Sequence, residues 1–341
     1  MLSPKKAQSV QLLRPDNFTA PSRTPWGGQR LLDHYKGDLG IEASGPVGES
    51  WEVSVSELPS SLAGGGSLEE LFAEDPVHWL GERSASSLLV KLLDAALPLS
   101  VQIHPTDDDP VLAPDEGGKP EAWYILDADE GAGVYLGLAD GVDEAAMSAC
   151  LDEEGDVASL LRFVPATPGD FFLIAPRTPH AIGGGLTLIE PQRVRPGKRG
   201  LTYRYWDWNR RYDAKGKPDP AGQPRELHRE RALAVTDWDR AWGDWLDGAH
   251  QRCGVPAPSA PAEATVLCEG PDLAVVRWAG TGALEVPEAP YLRSLTVAGG
   301  SIEVDGVLVK RGESAVIAAS AGPLSARLDH AHALICWVSA A

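Results

Sequence analysis

The segment Val101-Gln102-Ile103-His104 alternates apolar and polar residues, so in an extended chain Gln102 and His104 share one face and Val101 and Ile103 the other. An amide and an imidazole on the inward face of a sheet are out of place unless they hold something. Glu121 opens the next extended run after a Gly/Pro loop. His180 follows the Gly169-Asp170 turn and an apolar stretch. Two imidazoles, a carboxylate and an amide oxygen make a nitrogen/oxygen donor set suited to a divalent transition metal such as Zn²⁺. Taken singly, each residue also fits a structural role, a hydrogen-bonded His or a salt-bridged Glu. His330 and His332 in DHAHALICWV form a rival pair on one strand face. No further donor follows them in a matching arrangement, so no second metal site is expected there. The four cysteines, Cys150, Cys253, Cys268 and Cys336, form no Cys-x-x-Cys pair and support neither a disulfide framework nor a thiolate zinc site.

These side chains need strands to carry them. GESWEVSVSE alternates, with Trp51, Val53 and Val55 on one side. Ser67 followed three residues later by Glu70 reads as a capping box before a helix, and a second helix is expected near Ser87–Ala96. LSVQIHP and EAWYILDA read as strands around a polar loop. DGVDEAAMSACLDEEGDVASLLRFVPA, rich in Ala, Leu and acids, reads as one or two small helices. GDFFLIAPRTPHAIGGGLTLIEPQRV and LTYRYWDW read as further strands. The Pro/Ala/Ser-rich stretch 253–263 reads as a linker, and residues 264–341 as short β runs punctuated by Gly. The expected organisation is a domain over 1–252 with helical insertions near 67–96 and 140–164, then the linker, then a β domain over 264–341 without metal. The fold class is mainly β.

The chain has 341 residues, with 49 acidic and 30 basic side chains and a formal charge of −19. A field of that sign repels phosphate backbones, so binding to nucleic acid through a basic surface is excluded. With 43% hydrophobic and 23% charged residues the composition is that of a folded globular protein. The 36 Gly and 28 Pro suit many short strands and turns. MLSPKKAQSVQLLRPDNF carries Lys5 and Lys6 but no apolar run of signal-peptide length, and nothing later reaches the ~18 apolar residues of a membrane span. A cytoplasmic protein without membrane or nucleic-acid partners is expected.

WGGQRLL (26–32), GESWEVS (48–54), KLLDAALPLSVQIHP (91–105), GGKPEAWYIL (117–126), GDFFLIAPRTPHAIGGG (169–185), LTYRYWDWNR (201–210) and PRELH (224–228) occur in that order. Together they resemble type I mannose-6-phosphate isomerases of the cupin superfamily. The resemblance implies two cupin-like jelly-roll barrels, and interconversion of mannose-6-phosphate and fructose-6-phosphate through a cis-enediol. It also implies one Zn²⁺ per chain, held by Gln102, His104, Glu121 and His180. It carries the catalytic arginine onto Arg204, the active-site lysine onto Lys119, and a position near the substrate phosphate onto Ser100. Lys91 is a further substrate-binding candidate. The implied partner is a small phosphosugar, bound by a monomer or weak homodimer.

Two departures stand out. Gly200 occupies the place of the family's Asp before the arginine, which leaves the proton-transferring base open, and Arg177 stands in a Pro-x-Gly position. Because the chain is so acidic, the substrate phosphate requires a locally positive pocket. Lys119, Arg204, Lys91, Arg177 and the cluster 193–199 are its available donors, the last equally readable as a solvated loop. Two alternative functions follow from the same residues: a metal-dependent cupin oxygenase using His104, Glu121 and His180 as a facial triad, or a non-catalytic sugar-phosphate-binding protein.

Overall fold

The computed structural model describes residues 8–55 and 57–339; Lys5 and Lys6 lie outside the described residues. Among these the strands form three large sheets, all paired antiparallel. The six-stranded sheet runs His250–Arg252, Asp170–Ile174, Glu121–Ala128, Leu186–Arg193, Leu88–Ala95 and Glu49–Val53. The five-stranded sheet runs Tyr203–Trp206, Val101–Ile103, His180–Ile182, Gly133–Leu138 and Leu161–Pro165. A seven-stranded sheet takes its strands from residues 263–337 and adds Val10–Leu12, which pairs with Ser314–Ile317. The fold is mainly β and cupin-like, as expected, with the strands in facing open sheets and no closed barrel among the described residues.

The expected helix near Ser87–Ala96 is a strand, Leu88–Ala95, buried along its whole length. The six-stranded sheet has a core on each face, so this strand reads as a continuous apolar run, and such a run has no period that separates strand from helix. The helical insertion near 67–96 is accordingly shorter, Leu68–Glu74 and Pro76–Leu80. The capping box is present: Ser67 Oγ accepts the Glu70 N–H, and Glu70 accepts the Ser67 N–H. The second insertion holds a helix at Glu144–Asp152 and a short 3₁₀ turn at Val157–Leu160.

Alternation along the central strands sorts their side chains into two cores. Leu88, Val90, Leu92, Ala122, Tyr124 and Ile189 pack with Val275, Leu334 and Cys336 of the seven-stranded sheet. Leu93, Trp123, Ile125 and Leu188 face the five-stranded sheet and pack with Val134, Leu136 and Ile182. A fully buried Leu, Ile or Val contributes roughly 1.5–3 kcal/mol each, so the central sheet is a rigid plate held from both sides. A buried polar joint is among those that cross to the seven-stranded sheet. The fully buried Lys36 ammonium pairs with Glu52 at 2.7 Å and donates to Gly312 O, while Ser50 and Ser314 donate to the Glu52 carboxylate.

His330 and His332 do not converge. His330 has φ +49°, which breaks the strand's alternation, and its ring lies against Pro258 O. His332 turns inward instead and meets the Tyr124 hydroxyl at 2.7 Å.

Candidate functional site

The faces that form the inter-sheet core become polar at one end. On the six-stranded sheet, Glu121 is paired in register with Gln192, and Glu190 with Lys91, which is paired in turn with Trp51. On the five-stranded sheet, His180 is paired with Gln102, and Gln102 with Arg204. Val101, Ile103, Tyr203 and Tyr205 point the other way into a separate apolar cluster. That packing fixes which face Ser100, Gln102, His104 and Arg204 must occupy.

His104, Glu121 and His180 come together, each at most 2% exposed. The two Nε2 atoms lie 3.1 Å apart, and Glu121 carboxylate oxygens lie 3.2 Å from His104 Nε2 and 3.4 Å from His180 Nε2. Both Nδ1 atoms face backbone carbonyls, Leu201 O and Thr178 O, at 2.8 Å. A carbonyl can only accept, so each Nδ1 carries the ring proton and each Nε2 presents a lone pair. Burial, with Lys119's charge, lowers the His104 pKa. Burial lowers that of His180 to about 3. Both rings are therefore neutral. For Glu121, burial is outweighed chiefly by the Lys119 ammonium, which holds the carboxyl well below its usual range. Two neutral imidazole lone pairs and a carboxylate, converging with no proton between the rings, are in want of a cation. The set fits a metal of the zinc type.

Gln192, which the sequence reading passed over, supports the carboxylate. Its Nε2 donates to Glu121 Oε2 at 2.9 Å, and its own Oε1 is buried without a hydrogen-bond partner. Gln102 sits beside His180 in register. Its Nε2 donates to Ser100 Oγ at 3.2 Å, which leaves the amide oxygen as the atom it can offer to a cation. Lys119 is mostly buried, with Nζ 3.3 Å from Glu121 Oε2.

Lys91 lies between carboxylates, 3.7 Å from Glu190 and 3.9 Å from Glu49, with Nζ 4.6 Å from the centre of the Trp51 ring. Burial of its ammonium is outweighed by Glu49, Glu190 and Glu121, so its pKa rises. Glu190 is a second residue that sequence reasoning missed. Burial, then the Glu121 charge, lifts its carboxyl to about 7, and Trp123 Nε1 donates to it at 3.1 Å. Its only sequence signal was a carboxylate directly after the largely apolar run LTLI in LTLIEPQR.

Ser100 is fully buried, and its Oγ receives Gln102 Nε2, Arg204 Nε at 3.1 Å and Arg225 Nη2 at 3.2 Å. Arg225 is held in turn by Asp207. Arg204 also donates to Glu226 O at 2.7 Å. Among the described residues it has no ion-pairing carboxylate.

A cavity of about 270 Å³ opens beside this cluster, lined by Arg23, Lys91, Lys119, Lys198 and Arg199 against one carboxylate, Glu57. It is positive within a chain of net charge −19. Arg177 is not among its walls. Its Nε donates to Val235 O at the end of the helix Arg229–Val235. Arg177 also has φ +66°, a left-handed conformation that favours the glycine of the Pro-x-Gly pattern. Gly200 lines the cavity, and the added Cβ of any other residue would lie 3.0 Å from Val194 Cγ2.

Residues 21–133 match the family model described as phosphomannose isomerase type I, catalytic domain. The chain is 32% identical over 288 residues to a mannose-6-phosphate isomerase of Streptococcus mutans, covering 80% of this chain and 81% of that protein. It is 34% identical over 218 residues to a probable mannose-6-phosphate isomerase of Bacillus subtilis, covering 62% of this chain and 64% of that one. Among solved structures, a mannose 6-phosphate isomerase from Bacillus subtilis superposes with a TM-score of 0.77 at 25% identity, over 97% of this chain and all of that one. In sequence and in fold, the chain belongs to the type I mannose-6-phosphate isomerases, a family of aldose–ketose isomerases.

Proposed function

We propose that this chain interconverts mannose-6-phosphate and fructose-6-phosphate through a cis-enediol, using one zinc held by Gln102, His104, Glu121 and His180. The observation that carries the proposal is the pair of Nε2 lone pairs 3.1 Å apart beside the Glu121 carboxylate, next to a cavity walled by cations. A zinc held by these residues would supply Lewis acidity for the carbonyl and hydroxyl oxygens of an open-chain sugar.

The side chains divide the remaining work. Leu201 O and Thr178 O fix the two imidazoles through Nδ1, so that neither ring can turn. Lys119 Nζ stands at the cavity wall beside Glu121, where it can exchange a proton with the substrate at C1 or C2. The proton-transfer role left open at Gly200 is thus assigned to Lys119, which acts as acid in its charged form and as base once it has released that proton. Arg204 faces the same inter-sheet space with a guanidinium that stays charged and can bridge the two oxygens of an enediolate. Lys91, in the cavity wall, meets the polar and phosphate ends of the substrate, and Ser100, buried and tied to Arg204 and Arg225, serves the substrate by orienting those two guanidiniums.

The reaction run in D₂O with mannose-6-phosphate tests this reading. Fructose-6-phosphate carrying solvent deuterium at C1 is expected, because a proton lifted from C2 exchanges before it is returned. Full conversion with no label over many turnovers would indicate a hydride shift and remove the enediol from the account.

A further inference from the structure

We propose that Arg193 is the positioning residue for Lys119, fastening the chain on both sides of the lysine; this rests on the role given to Lys119 above. The backbone N–H of Arg193 donates to Pro120 O at 3.0 Å. Its guanidinium Nη2 lies 2.6 Å from Asp107 Oδ2, and the other oxygen of Asp107 accepts the Gly118 N–H at 2.9 Å. Residues 118 and 120 are therefore both tied to Arg193, and Lys119 stands between them. The preceding residue, Gln192, holds Glu121. Two consecutive residues of one strand thus set both partners of the Lys119–Glu121 contact.

The loop has little freedom to compensate. Gly118 approaches the backbone of 105–107 so closely that an added Cβ would lie 2.8 Å from Pro105 O. Arg193 is itself buried, and its Nε lies 2.8 Å from Asp272 Oδ1, at the turn between the strands Glu263–Glu269 and Ala274–Glu285 of the seven-stranded sheet. The C-terminal sheet thereby reaches the active-site loop through one guanidinium. Its Nη2 and Nε both lie against carboxylates, and Arg193 is not among the residues lining the cavity, so it serves the loop. A planar fork can satisfy two carboxylates at once, and an ammonium cannot do so in the same geometry.

Steady-state kinetics with mannose-6-phosphate on Arg193→Met, Arg193→Lys, Lys119→Met and the Arg193→Met/Lys119→Met double variant decide the matter, with metal content measured on each. Arg193→Met is expected to lower kcat roughly 10- to 100-fold, the cost of a misplaced catalytic group, with KM and metal content near wild type. Arg193→Lys should recover part of that loss. On the Lys119→Met background, Arg193→Met should cost less than about two-fold more, because residues that act through one another are not additive. The same fold-loss on both backgrounds would overturn the proposal, as would an unchanged kcat in Arg193→Met while Lys119→Met is impaired. Should Arg193→Met fail to fold, Asp272→Ala replaces it in the same cycle, with kcat lowered only when Lys119 is present and equal loss on both backgrounds overturning the proposal. Lys119→Met turning over like wild type would instead sink the reading of Lys119, and this proposal with it.

Discussion

Replacing Arg204 by lysine or alanine is expected to lower kcat by a factor of roughly 10²–10³, about 2.7–4 kcal/mol of transition-state stabilisation. The expectation follows from how the guanidinium is held. It lies in register with Gln102, one strand from His180, on the face that looks into the inter-sheet space. Nε and Nη1 are fixed by Ser100 and Glu226 O, with no ion-pairing carboxylate among the described residues to cancel the charge. Burial, and then the neighbouring charge of Arg225, lowers its pKa to about 10, so it remains protonated at neutral pH. A cation without an ion-pairing carboxylate would be available to charge that appears only during the reaction. Lysine keeps the charge and loses the fork, which is why the change is not conservative. Metal content and thermal midpoint should stay near wild type. A rise in KM with kcat unchanged would make Arg204 a uniform binding contact and remove its catalytic role.

His104→Ala is expected to abolish metal retention and, with it, turnover. The three convergent donors are buried and held from outside by Leu201 O, Thr178 O and Gln192. Removing His104 leaves the buried carboxylate, one imidazole and the weakly binding amide oxygen of Gln102, a poor set for zinc. The loss should exceed the roughly 10–100-fold that removal of an outer partner costs. Elemental analysis of native protein and variant checks this, with about one zinc per chain falling to near none. Unchanged zinc in the variant would overturn the ligand assignment. Iron as the native metal would favour the oxygenase reading of the same three residues.

Alternation in VQIH placed Gln102 and His104 on one face, and the structure puts His180 and Arg204 on that same face. Glu121 was legible because it opens its strand after a Gly/Pro loop. Glu190 and Gln192 were not, since they matter only through the register of Leu186–Arg193 against two neighbouring strands, and register is not written in a single segment. The strand Leu88–Ala95 was lost to the ambiguity of a run buried on both faces, and with it the reason Lys91 projects beside Glu190. The basic cluster 193–199 shows the same limit. Composition leaves it between a solvated loop and a phosphate clamp, whereas Arg193 is engaged by Asp107 and Asp272, Arg199 by Asp115 and Glu116, and Lys198 by Pro114 O. Only Lys198 and Arg199 of that cluster reach the cavity wall along with Val194.

A coupled assay of mannose-6-phosphate isomerisation, run on native protein, after chelation, and after zinc is restored, tests the central claim most directly. Activity that is present, lost on chelation and regained with zinc at about one equivalent per chain is the predicted result. Turnover that survives complete removal of metal, or a metal-loaded protein that leaves mannose-6-phosphate unchanged, would contradict it.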